Sequence, residues 1–215
     1  RKPGEAATLE IAARLASGTP VSEITDVRGT CVAAKYPGIC AYPRVEVPSF
    51  EEVSASKTAY ARANMAEYQE HDAVSGKAIV QKHGDRFLIV NPPAFPLTTE
   101  ELDRVAGLPY VREPHPMYDD MGGVPAIEEV RFSVTHNRGC FGACNFCSLA
   151  FHQGRTISCR SHNSVIQEVR VLTEHPGFKG YIHDVGGPSA TFRRPSCAKQ
   201  LKSGMCRNRA CLAPE

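Results

Sequence analysis

At 215 residues the chain has room for one large domain or two small ones. Its content, 42% hydrophobic and 22% charged, is that of a folded globular protein and excludes a disordered chain. A net charge of +2 (25 basic minus 23 acidic residues) selects no partner class, and no stretch nears the roughly 18 uncharged apolar residues of a membrane-spanning helix, because the best candidate, residues 87–99, is cut by Pro92, Pro93 and Pro96.

Residues 5–16 carry apolar side chains at helical spacing (Ala6, Leu9, Ala12, Ala13, Leu15, Ala16), and Gly18 supplies the stop. Residues 21–33 read as extended chain with a turn near Asp26, and the stretch around Pro37, Pro43 and Pro48 reads as loop. Ser49 followed by Glu51 and Glu52 is a helix start, with helical composition over 53–71. Residues 78–82 and 86–90, joined through "HGD", form the pattern of a β-hairpin. A short helix is expected over 99–105, between two long loops. From residue 126 the pattern changes. Residues 128–135 ("EEVRFSVT") read as a strand, 161–174 as a helix with Val165, Ile166, Val169 and Leu172 on one face, and 178–185 ("FKGYIHDV") as a second strand. Strand, loop, helix, strand is a βαβ unit, the building block of parallel sheets and barrels.

The cysteines are the anomaly of the composition. There are nine, and only Cys31 and Cys40 precede Cys140. Cys140, Cys144 and Cys147 stand as Cys-x3-Cys-x2-Cys directly after the first strand of the βαβ unit, with Gly139 and Gly142 among them to let the backbone turn closely. Clustered thiols in a chain of this length and regularity speak for metal rather than a disulfide scaffold. Three cysteines suit a 4Fe–4S cluster with one iron left open. Structural zinc with Cys159 as fourth ligand is the competing reading, since Cys-x2-Cys pairs belong to zinc sites generally. The iron–sulfur reading is favoured because zinc pairs usually come with a second close pair, whereas here one loop supplies three ligands.

This pattern, with Phe146 before the last cysteine, is similar to that of the radical S-adenosylmethionine superfamily. More closely, "FSVTHNRGCFGACNFCSLAFHQGRTISCRS" and "FKGYIHDVGGPSA" resemble the YgiQ-type family. So do "GEAATLEIAARLASGTPVSEITDVRGT", "SFEEVSASKTAYA" and "VQKHGDRFLIVNPPAFPLTTEELDRVAGLPYVREPHPMY" upstream, and the resemblance runs from about Gly4 to the C-terminus. It implies that Cys140, Cys144 and Cys147 ligate three irons of a 4Fe–4S cluster, and that S-adenosylmethionine chelates the fourth. It further implies that the Phe146 backbone touches the adenine and that Gly186 and Gly187 meet the methionine amino group. The implied reaction is one-electron cleavage of S-adenosylmethionine to a 5′-deoxyadenosyl radical, which takes hydrogen from a substrate the family does not name. An electron donor such as a flavodoxin or ferredoxin and a cytoplasmic setting go with that chemistry. Pro188 stands where many superfamily members have an acidic residue, and Thr191 where the family leads one to expect asparagine.

Cys197, Cys206 and Cys211 suggest a second metal site, zinc or iron–sulfur, that the resembling family would complete with a further cysteine. Residues 193–209 hold six basic and no acidic residues, read as a solvated face in preference to an RNA surface. His136 and His152, flanking the cysteine loop, read as structural histidines; Arg160 and Glu168 read as surface residues, and Asp184 at a strand end is the better candidate for the site. The expected fold is α/β: a mixed α+β accessory segment over 1–125, then the opening of a radical S-adenosylmethionine (β/α) barrel over 126–215, with its first two strands, the cluster loop and the second cysteine group. Because Arg1 is not a methionine and only two barrel strands are visible, the expectation is a fragment, inactive by itself; the alternative is a zinc-binding, RNA-binding module.

Overall fold

A computed structural model describes residues 4–142, 144, 146–194, 197–207 and 211. In chain order the helices and strands are α1 (Glu5–Ala16), β1 (Cys31–Ala34), β2 (Arg44–Val47), α2 (Phe50–Ala55), α3 (Lys57–Glu70), β3 (Ala78–His83), β4 (Arg86–Val90), α4 (Thr99–Ala106), α5 (Ile127–Val130), β5 (Ser133–Thr135), β6 (Asn137–Arg138), α6 (Leu149–Gln153), β7 (Ser158–Cys159), α7 (His162–Thr173), β8 (Asp184–Gly186) and α8 (Ala198–Ser203). The fold is mixed α/β with small sheets, and the described residues form no closed barrel. Two compact units divide the chain, one drawn from stretches 1–96, 141–156 and 196–215, the other from 97–140 and 157–195.

The first unit is built on a four-stranded sheet in the order β1–β4–β3–β2, with β3 and β4 as the expected hairpin. Gly84 makes that turn at φ +57, a conformation that costs glycine little and other residues more. β2 runs parallel to β3, so α2 and α3 form the crossover between them. The single helix expected over 53–71 is instead two. Ser56 takes an extended conformation and its hydroxyl accepts the Ala59 amide, ending α2 and capping α3. Ser49 starts α2 through a reciprocal pair with Glu52, the helix start expected from sequence. The extended chain expected over 21–33 holds only as β1, because Val21–Glu23 winds into a 3₁₀ turn after Pro20. Ala34, Val80 and Ile89 form the sheet's buried cluster, with Ile39, Cys40 and Phe87 packed against it.

In the second unit β5 and β8 pair in parallel and α7 connects them, giving the expected βαβ step. Phe132, Val134 and Leu172 are buried together, with Val165, Val169, Phe178 and Ile182 around them. Ile166, expected on the same face, is 47% exposed. Both strands are shorter than the composition suggested. Glu128 and Glu129 lie in the helical turn α5, where acidic groups suit a helix N-terminus, and pairing starts only at Ser133. In the second strand Gly180 turns at φ +98, so Phe178 and Ile182 fill the core from unpaired chain and pairing waits until Asp184.

Candidate metal and cosubstrate site

Parallel pairing brings the C-terminal ends of β5 and β8 to one edge, with Thr135 opposite Gly186, and ligand sites of open α/β architectures lie beyond such ends. The His136 amide donates to the Gly186 carbonyl (2.8 Å), extending the pairing one residue beyond the strands. Gly187 follows, packed against Asn137. A Cβ there would lie 2.3 Å from Asn137 Oδ1 and 2.5 Å from the Ala190 carbonyl oxygen, so only glycine fits. Two residues later the Ser189 hydroxyl donates to Cys140 Sγ (3.1 Å), and Cys140 is buried. The glycine turn after the second strand and the first cysteine thus meet in one place. Hydrogen bonds to sulfur are a means of tuning a thiolate-held cluster.

His136 is buried and its Nδ1 lies 2.7 Å from Asn137 Oδ1. Burial lowers the histidine's pKa, the bond to Asn137 opposes this, and Arg193, His162 and Arg160 add to the lowering. A neutral ring donating through Nδ1 leaves Nε2 an acceptor. Among the described residues, His136 Nε2 and the Asn137 Nδ2 donor, both buried, have no hydrogen-bond partner. Unpaired polar atoms buried at strand ends, next to two glycines, fit a polar ligand that would satisfy them.

The rest of the cysteine loop belongs to the first unit. There the Cys147 amide donates to the Cys144 carbonyl (3.0 Å), Cys144 is exposed and Cys147 half-buried. Phe146 is 93% exposed. No disulfide joins cysteines among the described residues, so their sulfurs are available as the thiolate donors that an iron–sulfur cluster takes. Among the described residues no three His, Cys, Asp or Glu side chains gather closely enough to hold a metal ion. In the second cysteine group Cys197 and Cys211 are exposed and Cys206 is half-buried.

Cys159, the fourth ligand of the zinc alternative, is otherwise engaged. Its Sγ donates to the Phe192 carbonyl (3.1 Å), and burial raises its pKa against the opposing charge of Arg193. Arg160 and Glu168, expected at the surface, are an ion pair of a buried arginine and a half-buried glutamate. The Arg160 guanidinium bonds Glu168, the Ser164 hydroxyl and carbonyl, and the Thr135 carbonyl at the end of β5. Arg112 reaches the other oxygen of Glu168. Asp184 is exposed, with its carboxylate over Gly186, and His152 is exposed on α6. In the basic stretch 193–209, Arg209 lies outside the described residues. Sequence reasoning missed Asn137 and Ser189. Their adjacency to the cysteine and glycine motifs was the only signal, and neither residue type is distinctive in a loop.

Residues 3–133 match the family model described as Radical SAM N-terminal. The chain is 47% identical over 213 residues to a UPF0313 protein of Clostridium botulinum (strain ATCC 19397 / Type A), an alignment covering 99% of this chain and 33% of that protein. It is 44% identical over 206 residues to a UPF0313 protein of Clostridium perfringens (strain ATCC 13124), covering 96% of this chain and 31% of that one. The chain therefore spans about a third of the length of the curated relatives it matches. No solved structure matches it. Motif, strand-end geometry and family match define the class as the radical S-adenosylmethionine proteins. Within that class the chain belongs to the YgiQ-type, or UPF0313, family.

Proposed function

We propose that this chain carries the cluster loop and the first cosubstrate contacts of a radical S-adenosylmethionine enzyme. In this reading Cys140, Cys144 and Cys147 hold a 4Fe–4S cluster, Gly186 and Gly187 present backbone to the methionine part of S-adenosylmethionine, and the Phe146 backbone meets the adenine. The bound cluster would supply one electron for reductive cleavage of S-adenosylmethionine, giving a 5′-deoxyadenosyl radical able to take hydrogen from a substrate of unknown identity. The chain's own part is to orient and to exclude water. Ser189 fixes Cys140, Asn137 holds the Gly187 turn in shape, and Arg160 ties the end of β5 to α7. The observation that carries the reading is the Ser189–Cys140 contact, which sets the glycine turn beside the first cysteine.

The βαβ step of β5, α7 and β8 supports residues 126–215 as the opening of a (β/α) barrel, and the family match over 3–133 supports an accessory segment over about 1–125. A flavodoxin or ferredoxin is the fitting electron donor, and an oxygen-sensitive cluster with reduced thiols fits a cytoplasmic setting. No described helix is long and apolar enough to cross a membrane. Cys197, Cys206 and Cys211 are read as a second thiolate metal site, for zinc or iron–sulfur.

The test is an electron paramagnetic resonance spectrum of anaerobically reconstituted, dithionite-reduced protein, with and without S-adenosylmethionine, and with iron and zinc counted on the same sample. The expected result is a reduced-cluster signal that shifts with S-adenosylmethionine and is lost in Cys144→Ala. Zinc without iron in folded protein would overturn the radical reading and leave a structural metal module.

A further inference from the structure

In the second unit the chain that follows β8 is anchored at both ends of a short span, and that span carries a hydroxyl onto the first cysteine. At its start the Gly186 carbonyl accepts the His136 amide (2.8 Å), and Gly187 lies against the fully buried Asn137. At its end the Phe192 amide donates back to the Ala190 carbonyl (3.0 Å), closing residues 190–192 into a tight turn. The Phe192 carbonyl then accepts the Cys159 thiol of β7 (3.1 Å). The two anchors are one structure, because β6 pairs with β7 and Asn137 stands opposite Cys159 in that register. Ser189 lies between them, and its hydroxyl donates to Cys140 Sγ (3.1 Å).

Cys140 is 8% exposed, so water does little to stabilise charge on its sulfur. A sulfur that ligates a metal is a thiolate without a proton, and in this pair the hydroxyl is then the donor. Adding an electron to a thiolate-held cluster increases the negative charge that its sulfurs share. A donor on one of those sulfurs therefore stabilises the reduced form more than the oxidised form, and raises the reduction potential. Burial strengthens the effect, because a low local dielectric screens it less than water does.

We propose that Ser189 is a positioning residue acting through Cys140: its hydroxyl raises the reduction potential of the cluster that Cys140 helps to hold, and the β6–β7 ladder keeps it on the sulfur. This rests on the reading of Cys140, Cys144 and Cys147 as ligands of a 4Fe–4S cluster. To that reading it adds a residue outside the cysteine motif, one that sets how readily the cluster takes up an electron.

The test is a potentiometric titration of the anaerobically reconstituted 215-residue chain, with dithionite as reductant, no S-adenosylmethionine, and the reduced-cluster paramagnetic resonance signal as readout. At a fixed potential Ser189→Ala should lower the ratio of reduced to oxidised cluster by about threefold to tenfold, a fall in midpoint of up to about 59 mV for a one-electron couple. Ser189→Thr, which keeps the hydroxyl, should titrate with wild type. Ser189→Val, of threonine's shape but without the hydroxyl, should titrate with Ser189→Ala. Iron per chain should be equal in all four proteins. Gly187→Ala, whose methyl would strike Asn137 and the Ala190 carbonyl, should also lower the midpoint, and Ser189→Ala in that background should add little. Fully additive shifts would overturn the part given to the ladder. Equal midpoints in wild type, Ser189→Ala and Ser189→Val, or a midpoint that follows side-chain size rather than the hydroxyl, overturn the proposal and leave the cluster reading standing. A folded chain that takes up no iron overturns the cluster reading, and the proposal with it.

Discussion

Gly187 shows how one residue can be fixed by its neighbours rather than by its own backbone. The position has no left-handed φ, so the demand for glycine comes from the Asn137 side chain and the Ala190 carbonyl occupying the space of a Cβ. Gly187→Ala is therefore expected to destabilise the second unit by about 1–3 kcal/mol, the usual cost of overpacking. Asn137→Ala in the same chain should return part of that loss but not all, because the Ala190 carbonyl is backbone and remains. Urea unfolding followed by circular dichroism, on the two single variants and the double, checks this; equal stability of Gly187→Ala and wild type would remove the packing account.

At the scale of the element, α7 combines an apolar face with a buried charge cluster. Val165, Val169 and Leu172 cover β5, and Leu172 is fully buried. On the same helix, Glu168 bridges Arg160 and Arg112, whose side chains are only 4% and 18% exposed. Removing one member of such a cluster leaves buried charge without its partner. Glu168→Ala is expected to cost about 3–5 kcal/mol, comparable with the about 2–5 kcal/mol expected for Leu172→Ala. Denaturant midpoints of the two variants give the comparison. A Glu168→Ala loss below about 1 kcal/mol would mean the cluster behaves like a surface pair. Arg160 also accounts for how the strand end is held, since it bonds the Thr135 carbonyl while its own amide donates to the His136 carbonyl. The sequence showed a helix with one apolar side. That its polar side closes over two arginines was hidden, because Arg112 lies 56 residues away along the chain.

Across the whole chain, Asp72 is the residue whose ionisation is most closely tied to distant sequence. Burial by itself would raise its pKa, but hydrogen bonds from the Ser75 hydroxyl and from the Met205, Val74 and Ser75 amides outweigh that and hold the carboxyl below its ordinary value. A lowered folded-state value means the ionised form stabilises the fold. That contribution is fully present above the unfolded value of about 3.9 and is lost as pH falls through the lower folded value. Wild type should therefore lose stability between about pH 5 and 2 more steeply than Asp72→Asn, which has no such charge to lose. Denaturation midpoints measured across that window test it, and parallel curves for the two proteins would exclude the coupling.

Much of the local structure was legible: α1, the hairpin of β3 and β4, the Ser49 start and the helix α7 all follow from periodicity, capping residues and turn chemistry over a few adjacent positions. The cysteine and glycine motifs were legible for a related reason, since their residues lie within a few positions of one another. The strand lengths were not. Phe178 and Ile182 have strand character, yet Gly180 and the packing around Phe132 place them in the core without pairing. Nor were the contacts that unite the site and the second cysteine group: Ser189 with Cys140, Asn137 with Gly187, Asp72 with Met205. The sequence by itself determined the family and the three-cysteine motif, because both are written in short-range spacing. Only the tertiary structure decided which polar groups are buried and what satisfies them, because a hydrogen bond between residues 133 positions apart leaves no local pattern to read.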